Sequence, residues 1–310
     1  MDLFALETFV AVAQERSFSR AALRLRRTQP AVSQTIAKLE AELGESLFER
    51  SARDGSLTDA GEVLRDYAHK LLNLRQEAAD ALGDLRSLHR GRLNLAANEY
   101  TCLSLLPVLD RFCRAHPLIK VAVQRSLASR IPDELLAHGV ELGIISFRPD
   151  DPALESIVIF RDELAFVVNP QHSLASAESV SIRQLDGEHF VAHNVASPQR
   201  AKVLEAFQRH KTNLRIDVEL PSLEAVRRFV EQGNGVALVP ALTVERELAS
   251  GALVRVPVRE LRMERKLRLV YRKNAALSHA AMSFLQQVES YAAGSDNTYC
   301  YEVEKPGKLR

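Results

Sequence analysis

Between Arg16 and Leu39 the chain has no aspartate or glutamate, while Arg16, Arg20, Arg24, Arg26, Arg27 and Lys38 are all basic. Inside that run, residues 18–38 divide into two short amphipathic helical patterns with a tight polar break between them. Ser19 is a candidate cap for the first helix, whose apolar side is Ala21, Ala22, Leu23 and Leu25. Arg26-Arg27-Thr28 forms the break. Thr28 is placed to begin a second helix, with Pro30 just inside it, where a missing N–H costs little. Ala31, Val32, Ile36 and Leu39 then recur at helical spacing, which leaves Gln29, Ser33, Gln34, Thr35 and Lys38 outward. Two tightly joined helices, the second polar and cationic, describe a helix-turn-helix. Exposed amides and hydroxyls on such a second helix read base edges in a major groove, and arginines around it hold phosphates. On this stretch alone, an ordinary helical hairpin with a solvated basic face remains open.

The flanking sequence adds to the pattern. Leu3, Phe4, Leu6, Phe9, Val10 and Val12 make a preceding helix that would pack on both helices. Gly44 is a candidate C-cap of the second. Residues 47–61, LFERSARDGSLTDAG, offer the anchors Leu47 and Phe48 and then a polar, glycine-containing turn, the shape of a wing. Arg50 and Arg53 on that turn are positioned for backbone or minor-groove contacts, the alternative being a solvated loop. Thr58 caps a long helix expected from Asp59 to His89. On it Val63, Leu64, Tyr67, Leu71, Leu74, Ala78, Ala81, Leu82, Leu85 and Leu88 recur near a 3.5-residue spacing, as in a coiled-coil seam. A small winged domain cannot cover so long a stripe, so a second copy is the natural partner, and a dimer gives a DNA reader two half-sites.

The first ninety residues resemble the LysR-type transcriptional regulators. The resemblance rests on Ala21-Ala22, Gln29 to Ser33, Leu39-Glu40, Leu43-Gly44, Leu47-Phe48, Arg50, Leu57-Thr58 and Ala60-Gly61. It implies a homotetramer built as a dimer of dimers that binds and bends double-stranded promoter DNA and engages RNA polymerase where it activates. It also implies a small-molecule effector. The DNA-facing candidates are then Arg20, Arg27, Thr28, Gln29, Pro30, Ser33, Gln34, Lys38, Arg50 and Arg53.

Past Gly91 the pattern changes. Strand-like phrases at 92–98, 120–126 and 141–146 alternate with helical ones at 101–116 and 131–139, which predicts a parallel, doubly wound α/β sheet. LESIVIF (154–160) and ELAFVVN (163–169) look like a crossover into a second lobe, and KLRLVY (266–271) like the return. Two α/β lobes joined by two crossings resemble the periplasmic-binding-protein-like effector domain of the same family, with phrases such as ELGII and EQGNGVALVP. The expected organisation is a winged helix-turn-helix domain (1–58), a linker helix (59–90) and an effector domain (91–294). Its lobe I would be 91–162 and 267–294 and its lobe II 163–266, with a mobile tail over 295–310.

Ligands of open α/β sheets bind beyond the carboxyl ends of the strands, here the cleft between the lobes. That rule selects Asn98, Glu99, Tyr100, Thr101, Ser126, Ser129, Ser146, Phe147, His193 and Asn194. Arg125, Arg130 and Arg148 also lie near strand ends and suit a carboxylate effector, although Glu99 argues against a purely anionic pocket.

The rest of the sequence excludes more than it adds. A net charge of +1 over 310 residues confines any nucleic-acid affinity to a local patch. Cys102, Cys113 and Cys300 match no metal spacing, and a redox switch between the first two is disfavoured by their separation along one helix. No catalytic motif is present, and neither His189 nor His193 has an obvious acidic partner nearby in sequence. The expectation is a cytoplasmic, non-enzymatic regulator without catalytic residues, metal, cofactor or membrane partner.

Overall fold

The computed structural model describes residues 1–49, 55–86, 91–195, 197–261, 264–273, 275 and 277–293. Arg50, Arg53, Leu88, Met263, Cys300 and the expected tail fall outside the described residues. The chain forms two compact units, one of residues 1–91 with 133–140, the other of residues 92–132 and the chain from Glu141 onward.

In the first unit, α1 (Leu3–Glu15), α2 (Phe18–Leu25) and α3 (Gln29–Leu43) enclose a core of Leu6, Phe9, Val12, Ala21, Ala22, Val32, Ile36 and Leu39. Ser17, not Ser19, caps α2, its hydroxyl accepting from the Arg20 N–H. The cap falls earlier because the chain must already turn out of α1 through Arg16, which is left-handed at φ 47°. Leu23 points away from the core and is exposed, so Ala21 and Ala22 form the packed face of α2. The small residues let α1 and α3 approach closely. Thr28 has the extended backbone of an N-cap without a side-chain cap bond, and Gly44 ends α3 at φ 74°.

The wing begins as an antiparallel pairing of Phe48 with Leu57, closed by Glu49 N–H donating to Ser56 O at 2.9 Å. Phe48 sits under Phe9 and Phe18, with ring centroids 5.5 and 5.3 Å away. Two polar side chains lock this corner. Glu40 Oε1 accepts from Leu47 N–H at 2.7 Å, and Thr58 Oγ1 donates to Ser46 O at 2.6 Å while accepting from Gly61 N–H at 3.1 Å. Gly61 lies so close to the Leu47 carbonyl that a Cβ there would come within 2.2 Å of it.

From that corner runs α4 (Asp59–Arg86). Its Leu64, Ala68 and Leu72 pack on the helical core, which takes Leu64 out of the expected seam. Val63, Tyr67, Leu71, Leu74 and Leu82 remain exposed, Tyr67 and Leu82 each at 61%. Farther along, Asn73 donates to Ala137 O at 2.9 Å, and His138 Nδ1 meets Glu77 at 2.6 Å.

Along the chain from Gly91, β1 (Gly91–Ala97), α5 (Glu99–Ala115), β2 (Ile119–Arg125), α6 (Ile131–Leu136) and β3 (Leu142–Ile145) follow the expected alternation. The two phrases read as a crossover form one strand, β4 (Leu154–Val168), with a bulge between Val158 and Phe160. Then come β5 (Phe190–His193), α7 (Pro198–Arg209), β6 (Ile216–Leu220), α8 (Leu223–Glu231), β7 (Ala237–Pro240), α9 (Glu245–Ser250), β8 (Val254–Arg255), β9 (Glu264–Arg272) and α10 (His279–Ala293). The sheet is mixed rather than all parallel. Its order is β2-β1-β3-β9-β4-β7, with β8 also on β4. β1 and β3 run parallel, whereas β9 is antiparallel to both β3 and β4. The return strand enters from the opposite end and has no crossover helix to turn it round. β5 and β6 form a separate parallel pair.

β4 changes partner between Glu163, opposite Glu264 of β9, and Leu164, opposite Pro240 of β7. Beyond that point both faces are buried, Phe166 and Val168 in one cluster and Ala165 and Val167 in another, which explains the unbroken apolar phrase. Gly235 sits at φ 126°, where a Cβ would come within 2.6 Å of His189 O. This close approach brings Val236 beside β5, its N–H donating to His189 O at 2.9 Å. Gly235→Ala is therefore expected to cost about 2–4 kcal/mol, from strain plus the steric clash. Urea unfolding followed by circular dichroism would check it, and an unchanged midpoint would contradict the packing described.

Candidate functional site

The first candidate surface is the outer side of α3. Gln29, Pro30, Gln34 and Lys38 are exposed along it and Ser33 is half-exposed, with Thr28 and Arg27 exposed at its start. Gln29 Nε2 donates to Ser33 Oγ at 2.9 Å, so these two polar groups are held one turn apart in a fixed relation. The basic residues divide by their contacts. Arg20 donates to the Glu15 carbonyl and Arg24 pairs with Glu15 at 3.3 Å, so both tie α2 to the end of α1. Arg27 lies over the Phe4 ring, 5.5 Å from its centroid. Arg26, Arg27 and Lys38 have no acidic partner among the described residues. This face can meet a polyanion without first breaking ion pairs.

The second is a cavity of about 760 Å³ within the α/β unit. Of the positions selected from the sequence, Asn98, Glu99, Tyr100, Ser126, Ser129, Ser146, Phe147, His193 and Asn194 all line it. Thr101 does not. It is fully buried, its hydroxyl accepting from Asn98 N–H at 3.0 Å while Asn98 Oδ1 accepts from Thr101 N–H at 2.9 Å, a reciprocal cap on α5. Arg125 lies on the wall, exposed and without an acidic partner among the described residues, whereas Arg130 and Arg148 lie elsewhere.

Both histidines meet acidic partners far away in the chain. His189 contacts Asp217, and this hydrogen bond, with Arg215 beside it, holds the Asp217 carboxyl below the usual range. His193 Nε2 lies 3.2 Å from Pro221 O and 3.9 Å from Glu99 Oε2. Glu99 Oε1 accepts from Leu223 N–H, the first amide of α8, at 3.2 Å. Its other oxygen is buried with no hydrogen-bond partner.

Several wall residues gave no signal in the sequence. Arg200, from α7, donates to His193 O at 3.3 Å and pairs with Glu219 at 2.5 Å. Arg265, from β9, is only 5% exposed and stacks over the Tyr100 ring, 4.5 Å from its centroid. The Tyr100 hydroxyl is close enough to Ser146 and Arg265 to feel both, but makes no hydrogen bond of ordinary geometry with either. Burial pushes the Tyr100 phenol upward, against the pull of Arg265. Opposite Arg265 on β4 stands Asp162, 7% exposed, whose Oδ1 accepts from Leu242 N–H at 3.4 Å. Burial raises the Asp162 carboxyl above its ordinary value, outweighing the attraction of Arg265 and the backbone hydrogen bonds. Among the described residues no group of three or more His, Cys, Asp or Glu could hold a metal, and no helix is long and apolar enough to cross a membrane.

Comparison with known proteins places both parts. Residues 3–62 match the bacterial regulatory helix-turn-helix protein family of the lysR type, and residues 86–293 match the LysR substrate binding domain. A probable RuBisCO transcriptional regulator of Synechocystis sp. (strain PCC 6803) is 32% identical over 290 residues, covering 91% of this chain and 84% of its own. The full-length crystal structure of CbnR complexed with its target DNA superposes with a TM-score of 0.71 at 22% identity, over 94% of this chain and 99% of that one. The regulatory domain of Synechocystis CcmR, solved in complex with 2-PG, gives a TM-score of 0.60 at 23% identity, over 66% of this chain and 98% of that domain. The chain belongs to the LysR family of bacterial transcriptional regulators. It is a DNA-binding regulator with an effector-binding domain, and its family is not enzymatic.

The buried Asp162 makes a pH prediction. Its raised folded pKa means that the folded protein holds a proton more tightly than the unfolded chain does. Stability therefore falls as pH rises from about 3.8 through the raised value, and this contribution is flat above it. Asp162→Asn removes the penalty, so the variant is expected to melt above the parent at pH 7.5, with the gap closing toward pH 4. A gap independent of pH would contradict the burial-driven shift.

Proposed function

We propose that the protein binds promoter DNA through α3, with Gln29, Ser33 and Gln34 toward base edges, Arg20, Arg27, Thr28 and Lys38 toward phosphates, and Pro30 opening the helix at the groove; Arg50 and Arg53, outside the described residues, would contact the backbone or the minor groove. The observation that carries this reading is the first turns of the outer face of α3, from Gln29 to Lys38, where no acidic residue occurs and a fixed Gln29–Ser33 pair is flanked by Arg26, Arg27 and Lys38, which have no acidic partner among the described residues. The exposed stripe of α4, from Val63 through Tyr67, Leu71 and Leu74 to Leu82, fits a second copy, giving a homodimer and then a tetramer that engages RNA polymerase where it activates. The organisation is a DNA-binding domain over 1–58, the linker over 59–90 and effector lobes of 91–162 with 267–294 and of 163–266, in a cytoplasmic protein.

The roughly 760 Å³ cavity is of a size suited to a small-molecule effector. Its contacts would come from Asn98, Glu99, Tyr100, Ser126, Ser129, Ser146, Phe147, His193 and Asn194, with Thr101 supporting them from behind. The likeness to RuBisCO regulators and to a domain holding 2-PG favours an anionic effector and makes 2-PG the first compound to titrate. Effector binding would bias the two lobes, and through the linker helices the DNA bend.

Footprinting on the DNA upstream of the protein's own gene tests the reading. Protection over several helical turns with a dyad is expected, and its absence at low salt would defeat it. Gln29→Ala is expected to lose about 1–3 kcal/mol on specific DNA and relax base preference, whereas Lys38→Ala weakens all sequences alike and lowers the salt slope by about one. Equal losses on specific and random DNA for both would remove α3 from the groove. Tyr67→Asp, which puts a charge in the exposed stripe, is expected to yield monomers in sedimentation at micromolar protein. Unchanged assembly would show that α4 is not the seam.

A further inference from the structure

We propose that Arg265 is the anion anchor of the cavity and that Glu99 restricts its ligand to anions that also carry a hydroxyl group. This rests on the reading of the cavity as the effector site, and names the chemistry that the site selects. The cavity wall contains a guanidinium only 5% exposed whose Nε has no hydrogen-bond partner. No carboxylate pairs with it within 4 Å among the described residues. Asp162, its cross-strand neighbour, attracts it without forming an ion pair. A buried cation without a paired, hydrogen-bonded counter-charge is costly, and a cation–π contact with the Tyr100 ring, 4.5 Å from its centroid, offsets part of that cost. The unpartnered Tyr100 hydroxyl adds a donor at the same place. An oxyanion there would satisfy both side chains.

The remaining charges define what else the ligand must carry. Arg200 is already engaged by Glu219, so the cations left for a ligand are Arg265 and the exposed Arg125. Against them stands one carboxylate, Glu99, whose Oε1 is committed to the Leu223 N–H. Its Oε2 is buried without a hydrogen bond, and His193 Nε2 lies 3.9 Å away and closer to Pro221 O. That oxygen repels a second anionic group and needs a donor. A ligand hydroxyl supplies one. The shared chemistry is an oxyanion a few carbons from a hydroxyl, met by either a hydroxycarboxylate or a hydroxylated phosphate ester.

Two matched pairs of probes separate these sources: glycerate against propionate, and glycerol 3-phosphate against propyl phosphate. Binding to the full-length protein would be measured by calorimetry, with ligand-observed NMR for weak complexes. In at least one pair the hydroxylated member is expected to bind about tenfold tighter than its deoxy partner, and the pair that binds identifies the oxyanion. Arg265→Met should weaken both members about thirtyfold or more, and Arg265→Lys, which keeps charge and fold but not the fork, should recover part of that loss. Glu99→Gln should bring the two members of the pair within about threefold, without weakening the deoxy anion. The proposal is overturned if no probe binds the parent protein, if the pairs bind equally, or if both Arg265 variants bind as the parent does. Ser129→Trp, which fills the cavity from its wall, separates the two levels of inference. Binding that survives it places the anions outside the cavity and removes both readings. Binding that it abolishes, but that the Arg265 variants leave intact, removes the anchor alone.

Discussion

The α/β unit depends on the antiparallel pairing of β4 with β9. These strands are paired from Leu154 opposite Arg272 to Glu163 opposite Glu264. Because β4 and β9 pair along this length, neither is a free linker. The sheet order β2-β1-β3-β9-β4-β7 runs through them without a break. The same pairing sets Arg265 against Asp162 across the ladder and presents the guanidinium to the cavity over Tyr100. A charged pair at this place resists burial from both sides. Asp162 prefers its proton, and Arg265 is left with hydrogen-bonding capacity that the protein does not use.

The helical unit is organised around a smaller constraint, the corner where α3, the wing and α4 meet. Several residues that carry the resemblance to the LysR family are the ones that lock it. Glu40 satisfies the amide of Leu47 after α3 has ended, and Thr58 joins the strand base of the wing to the first turn of α4. At Gly61 the Leu47 carbonyl leaves no room for a side chain. These contacts fix the direction of α4 relative to the outer face of α3. The position of α3 is thus tied to the helix that carries the exposed apolar stripe.

The sequence by itself determined the element types, the family and the DNA-facing candidates. Helical and strand periodicities are local, and so is a cap such as Gly44; the motif from Ala21 to Gly61 is contiguous. It also placed part of the cavity wall, because strand ends and helix starts can be read off the chain. Tertiary structure decided the strand directions, the division of the α4 stripe between Leu64 inward and Tyr67 outward, and the partners of the charged groups. Glu99 meets Leu223, His189 meets Asp217 and Arg265 meets Tyr100 across long stretches of chain. Arg265 in particular reads as an ordinary solvated arginine at the start of a strand. Its burial exists only once β9 has paired with β4, and desolvation and charge pairing are set by distance in space, which the order of residues does not encode.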